Sequence, residues 1–256
     1  MSTTPLDRFR LDDRVVLVTG ASSGLGVGFA RACAAAGAAL VLAARREDRL
    51  AALAEELRAA GTTVLTRPTD VSSREECEAL AAEAAAALGR IDVLVNNAGL
   101  GHSGSAVRED PAVFDQVVDV NLKGVYWMAR ACAPHMPEGS AIVNVASVHG
   151  LAASRYPQAA YAASKAGVIG LTRDLAQQWA KRRGIRVNAL CPGYFDSEMT
   201  SGDADVLGAM VGEHSILGRF GRQEELDSAL LFLASPASSY VVGAALVVDG
   251  GLSAMI

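Results

Sequence analysis

The run VVLVTGASSGLG, residues 15–26, decides how the chain is read. Apolar and β-branched residues lead into Gly20, Gly24 and Gly26, and an alanine-rich stretch of helix formers follows. A strand that is apolar throughout belongs to a sheet covered on both faces. Glycine turns sharply and brings backbone close to a ligand with no Cβ in the way. A helix N-terminus then offers N–H groups and a positive dipole end to a pyrophosphate. The stretch reads as strand, tight turn and helix. The turn, with Ser22, Ser23 and Leu25 among its glycines, is the expected phosphate cradle.

The same alternation continues outward. ALVLAA from 39, TVLTR from 63, IDVLVN from 91, AIVNVA from 141, IRVNAL from 185 and ALVVDG from 245 read as further strands. Helical spacing fills the intervals, as from Arg49 to Ala60 and from Arg74 to Leu88. Apolar strands separated by helices, joined by right-handed crossovers, predict an α/β fold. It is a doubly wound, Rossmann-like parallel sheet of about seven strands with helices on both faces. No linker or repeat divides residues 1–256, so one domain is expected. Residues 194–220 show no clear strand and read as a substrate lid.

A formal charge of −5 supplies no basic excess for nucleic acid. The basic run Lys181, Arg182, Arg183 is read as a solvated helix end. The charged N-terminus lacks an apolar signal core, and no apolar run is long enough to span a membrane. Cys33, Cys77, Cys132 and Cys191 are widely separated, which predicts buried free thiols, no metal site and a cytoplasmic location.

A second stretch, ASVHGLAASRYPQAAYAASKAG at 146–167, carries the chemistry. Tyr161 and Lys165 stand four apart and share one face of a helix. An ammonium beside a phenol favours the phenolate, so the lysine is expected to bring the tyrosine toward neutral pH. His149 lies near Ser147, but no nucleophile-elbow sequence surrounds that serine, and neither His149, His102 nor His214 is assigned a catalytic role.

Taken in order, the motifs resemble the short-chain dehydrogenase/reductase family over essentially the whole chain. They are Thr19-Gly20-x-x-x-Gly24-x-Gly26, NNAG at 96–99, Asn121, Ser147, Tyr161 with Lys165, CPGYFDS from 191, and VVDGG near the end. Thirteen residues separate Ser147 from Tyr161, one more than the usual family spacing, and the loop after Gly150 is expected to absorb the extra residue. The resemblance implies hydride transfer between NADP(H) or NAD(H) and a carbonyl or secondary alcohol. Tyr161 would be the proton donor or acceptor, Lys165 would hold the nicotinamide ribose, Ser147 would orient the substrate oxygen, and Asn121 would anchor a proton-relay water. Asp70 with Val71 would meet the adenine. Asn97, Ala98 and Gly99 would shape the turn under the adenosine ribose. Pro192, Gly193 and Ser197 would border the nicotinamide.

Cofactor choice is read at the end of the second strand. Ala44 stands where an acid would select NAD(H), and Arg45 and Arg46 follow. A guanidinium suits a 2′-phosphate, so NADP(H) is favoured, with Arg45 the chief contact, Arg46 assisting, and Ser22 within reach. Glu47 and Asp48 could offset both arginines, which keeps NAD(H) as the alternative. The substrate pocket is expected among Val148, His149, Ala153, Tyr156, Tyr194, Phe195 and the lid up to Leu217. Cyclic, 3-oxoacyl, sugar-derived and aromatic carbonyls all fit it. A non-redox isomerase or dehydratase, and a nicotinamide-sensing binding protein, are the other readings. The family implies a homotetramer or homodimer. The helix carrying Tyr161, apolar on more than one side, suits that assembly.

Overall fold

The computed structural model describes residues 4–153, 155–195 and 204–254. Seven strands form one sheet: β1 (Val15–Thr19), β2 (Ala39–Ala44), β3 (Val64–Pro68), β4 (Val93–Asn96), β5 (Ala141–Val145), β6 (Arg186–Pro192) and β7 (Ala245–Val248). All pairings are parallel, in the order β3-β2-β1-β4-β5-β6-β7. The order reverses between β1 and β4, where the ends of neighbouring strands diverge and open a crevice at their carboxyl ends.

Helices α1 (Gly24–Ala35), α2 (Glu47–Ala59) and α8 (Gln223–Ala234) cover one face; α3 (Arg74–Leu88), α5 (Gly124–Cys132) and α6 (Ala159–Arg183) cover the other. Strand alternation feeds both layers. Val16 and Val18 of β1 pack with α1 and α8, while Val15 and Leu17 pack with α3 and α5. That two-sided burial is why β1 and β2 are apolar at nearly every position. α4 (Pro111–Val118), capped by Asp110 accepting from Ala112 N at 2.9 Å, leads through a π-helical turn, Asp119–Lys123, into α5.

Boundaries depart from the sequence reading by a residue or two, as where α2 starts at Glu47 and β6 runs to Pro192. The segment 194–220, read as a lid without a clear strand, lies partly outside the described residues. It contains α7 (Ala204–His214) and is clasped at its base by a parallel bridge of Phe195 with Gly221. The expected buried thiols are found: all four cysteines are free and buried, and burial pushes Cys191 up to about 11. Among the described residues no helix is long and apolar enough to cross a membrane.

Beneath the crevice lies a buried polar chain. Asn96 Nδ2 donates to Asn144 Oδ1 at 2.9 Å, Asn144 Nδ2 donates to Thr172 Oγ1 at 2.9 Å, and Thr172 Oγ1 donates to Val168 O at 2.8 Å. It ties β4 and β5 to α6, so the strand ends and the helix bearing Tyr161 keep one registration. Thr172→Val removes the acceptor from Asn144 at nearly constant volume. It is expected to destabilise the fold by about 1–3 kcal/mol in urea denaturation; unchanged stability would show the chain to be dispensable.

Candidate active site

Gly20 sits at the carboxyl end of β1 with φ +67°, and a Cβ there would lie 2.8 Å from Ala98 Cα. A Cβ at Gly26 would collide with the Gly20 carbonyl. Glycine at both positions therefore permits the turn itself. The next strand end clamps it. Thr19 Oγ1 accepts from Asn97 N at 3.0 Å and Ala98 N at 3.1 Å, while Asn97 Nδ2 donates to Thr19 O at 3.0 Å and Gly20 O at 3.2 Å. Thr19 is thus as much a part of the turn as its glycines.

Helix α1 starts at Gly24 with Ser23 as N-cap, and no side-chain cap occupies that end. The Arg46 guanidinium lies against the turn, donating to Ser22 Oγ at 3.2 Å and to Ser23 Oγ at 2.5 Å. A helix N-terminus beside a guanidinium is a donor set for an anion, and it fits a dinucleotide's phosphates. Arg45 turns elsewhere, toward Asp70, along a cleft of about 290 Å³ shared with Ser72, Gln116 and Val120. Burial pushes the Asp70 carboxyl up, but the Ser72 hydroxyl and amide and the Arg45 charge bring it below its ordinary value. Of the two arginines, the structure thus brings Arg46 to the turn. Val71 packs under Gly124, where a Cβ would lie 2.8 Å from Val71 Cγ2.

At the end of β5, Ser147 begins a 3₁₀ turn, Val148–Gly150, and its Oγ accepts from His149 N at 3.2 Å. Tyr161, in the first turn of α6, is half-buried, and Ser147 is the side chain that acts on its phenol. Lys165 follows one turn later and is 4% exposed. Its Nζ donates to Val145 O at 2.8 Å and lies 5.7 Å from the Tyr161 ring centroid. A Cβ at Gly150 would meet the Lys165 carbonyl carbon at 2.7 Å, so the glycine lets the serine turn press against the lysine's helix.

These groups correct one sequence expectation. Burial pushes the Tyr161 phenol above its ordinary value, and the opposing pull comes from Ser147. Lys165 itself is lowered to about 8 by burial. Desolvation thus outweighs the attraction that the spacing alone suggested.

Asn121 is buried in the π turn, a geometry that widens the helix and turns its side chain inward. Its Oδ1 accepts from Leu100 N at 2.7 Å; its Nδ2 donates to Leu100 O at 2.9 Å and to Ser164 Oγ at 3.2 Å. The side chain holds the loop after β4 onto α6. Gly99 lies within this brace, where a Cβ would come 3.3 Å from Asn121 Oδ1. Gly193 N donates to Val248 O at 2.9 Å, and a Cβ there would meet Asp249 Cα at 2.7 Å, so Pro192–Gly193 runs tight along the end of β7. Ser197 lies outside the described residues.

On the substrate side, His149 Nε2 is 3.1 Å from the Tyr194 hydroxyl, with the rings edge-on, and Tyr194 stacks on Phe220. The loop after β4 closes the adjoining edge, where Gly104 N donates to Pro157 O at 2.8 Å. Leu100 and Ser164, and the clamping bonds of Thr19, escaped the sequence reading because their partners are distant in the chain.

A family model described as enoyl-(acyl carrier protein) reductase matches residues 20–253. Galactitol 2-dehydrogenase (L-tagatose-forming) of Cereibacter sphaeroides is 44% identical over 249 residues, 95% of this chain and 96% of the relative. A 3-oxoacyl-(acyl-carrier-protein) reductase of Thermotoga maritima is 38% identical over 245 residues, 95% of this chain and 99% of the relative. Among solved structures, a gluconate 5-dehydrogenase from Burkholderia cenocepacia in complex with NADP and tartrate superposes with a TM-score of 0.94 at 39% identity, covering 99% of this chain and 100% of that chain. With the sheet order and the ordered motifs, these matches make this chain a member of the short-chain dehydrogenase/reductase family, an NAD(P)-dependent oxidoreductase acting on alcohol and carbonyl groups.

Proposed function

We propose that the protein transfers a hydride between NADP(H) and a carbonyl or secondary alcohol, with Tyr161 moving the proton at the substrate oxygen. The observation that carries this reading is Tyr161 set one helical turn from the buried Lys165, whose Nζ lies 5.7 Å from the tyrosine's ring centroid, with Ser147 acting on its phenol. When bound, the nicotinamide supplies the hydride. Ser147 and Tyr161 then grip the substrate oxygen from two sides, and the raised phenol is a retained proton donor in reduction. Lys165 provides positive charge and hydrogen bonds beneath them, to the cofactor's ribose hydroxyls. Asn121 contributes by holding Leu100 and Ser164 in place.

Gly20, Ser22, Ser23, Gly24, Leu25 and Gly26 would hold the pyrophosphate, with Arg46 meeting the 2′-phosphate and Arg45 flanking it. Asp70 and Val71 would take the adenine, and Asn97, Ala98 and Gly99 its ribose. Pro192 and Gly193 would line the nicotinamide. Ala44 at the end of β2, the contact of Arg46 with the turn, and the NADP complex of the gluconate 5-dehydrogenase support NADP(H). The buried thiols suit a cytoplasmic location. A dimer or tetramer through α5, α6 and β7 is supported by exposed Ala163, Ala166 and Gly170 on α6, by half-exposed Tyr126 on α5, and by exposed Val247 on β7.

Tyr161→Phe is expected to bind NADPH as the native chain does, at least about tenfold more tightly than NADH, yet to lose about 10²–10⁴-fold in kcat. Arg46→Ala should abolish the cofactor preference. Native turnover in Tyr161→Phe, or equal affinities in the native chain, would contradict these assignments. Sedimentation at micromolar concentration should find a dimer or tetramer; a monomer would contradict the assembly.

A further inference from the structure

Gly20 and Gly26 are required by the turn itself, but Gly28 is not. It is buried inside α1, where its backbone is ordinary helix with no positive φ. Only proline serves a helix interior less well, so a glycine there calls for a packing reason. A Cβ at Gly28 would lie 2.2 Å from both Cδ and Nε2 of Gln223, the first residue of α8. The bare backbone of α1 is thus a notch that receives the Gln223 amide.

From that notch Gln223 reaches the turn read as the pyrophosphate cradle. Its Nε2 donates to Asp227 Oδ1 at 2.7 Å, an i,i+4 pair on α8, and makes a long contact with Leu25 O at 3.5 Å. The residue arrives from a held backbone, because Gly221 N donates to Tyr194 O at 2.9 Å and Arg222 N to Glu225 Oε2 at 2.8 Å. Behind it, Leu226 and Leu230 of α8 pack with Phe29, Ala30 and Cys33 of α1 in one buried cluster. The end of α1 that follows the turn is built differently. It has Gly24, Gly26 and Gly28 among its first five residues and no side-chain cap. Glycine loses more freedom on folding than any other residue, so those turns are costly to order. The amide supplies from α8 a restraint that the helix's own side chains do not.

Resting on the cofactor reading above, we propose that Gln223 is a positioning residue for the dinucleotide. Seated on Gly28, it fixes the first turns of α1 so that their N–H groups are set before the pyrophosphate arrives. A site ordered in advance loses less freedom on binding. The restraint acts on the part that all dinucleotides share. Its loss therefore weakens NADPH, NADH and ADP-ribose alike and leaves the nicotinamide end of a bound cofactor as it was.

The test measures Kd for NADPH, NADH and ADP-ribose, with stability to urea, on the full chain and on Gln223→Ala, Gly28→Ala and the double variant. Gln223→Ala is expected to raise every Kd about threefold to tenfold, the worth of one hydrogen-bonded contact. At saturation the emission of bound NADPH should match the native chain's. Gly28→Ala fills the notch, displaces the amide and should raise each Kd to the same extent. The double variant should bind no worse than either single one, because both remove the same contact. It should also resist urea better than Gln223→Ala alone, since an alanine then enters an emptied notch in a helix. A contact that serves stability alone would leave the Kd values unmoved, and that result would overturn the assignment. A loss confined to NADPH, a changed emission of bound NADPH, or effects that add in the double variant would overturn it as well. Turnover does not enter these measurements, so a failure of the proton-transfer reading leaves the predicted affinities standing. A native chain that binds none of the three ligands would overturn both readings.

Discussion

Lys165 carries an ammonium into the carboxyl end of a parallel sheet, where the partner given by the chain is a strand carbonyl, Val145 O at 2.8 Å. No carboxylate among the described residues pairs with it, and burial lowers it to about 8. Much of the neighbouring architecture can be understood as what holds that charge in place. Gly150 lacks a side chain where the serine turn meets the lysine's backbone. Asn121 fixes Leu100 and Ser164 beside it. The Asn96–Asn144–Thr172 chain keeps β4, β5 and α6 in one frame below it. A desolvated charge is costly for a fold, and its retention beside Tyr161 and Ser147 is intelligible as a requirement of cofactor binding and catalysis.

The arrangement divides labour between scaffold and loops. The sheet and its polar brace set the positions of Ser147, Tyr161 and Lys165, whereas the walls around the substrate come from the loops after β4, β5 and β6. Those loops are tied to one another by Gly104 with Pro157 and by His149 with Tyr194. Chemistry placed on the rigid part and selectivity on the connecting part is a general consequence of α/β topology.

Features that rest on local periodicity were legible in the sequence. The glycine turn, the seven apolar strands, the buried thiols and the four-residue step from Tyr161 to Lys165 all follow from neighbours along the chain. What could not be read depends on contacts between distant segments. The polar chain through Asn144 needs the pairing of β4 with β5 before its members become neighbours. Arg45 and Arg46 are adjacent in sequence, and only the start of α2 turns the second onto the glycine loop. The effect of Lys165 on Tyr161 was misjudged because spacing reveals proximity but not desolvation. Gln223 resembles an ordinary helix-start residue until its amide is seen in the notch at Gly28.

The burden of the buried ammonium can be measured on the chain alone. Lowering Lys165 to about 8 from an ordinary 10.5 corresponds to about 3 kcal/mol of lost stability at neutral pH. Between those two values the unfolded chain binds more protons than the folded one, so this penalty is full below pH 8 and fades as the pH rises toward 10.5. The decisive comparison is urea denaturation of the native protein and Lys165→Met, without cofactor, from neutral pH to about pH 10. The account predicts that the methionine variant is more stable near pH 7 by about 2–3 kcal/mol, with the gap closing as the pH rises. A less stable variant at neutral pH, or a gap that ignores pH, would show that Lys165 is not the buried, destabilising charge on which this site is built.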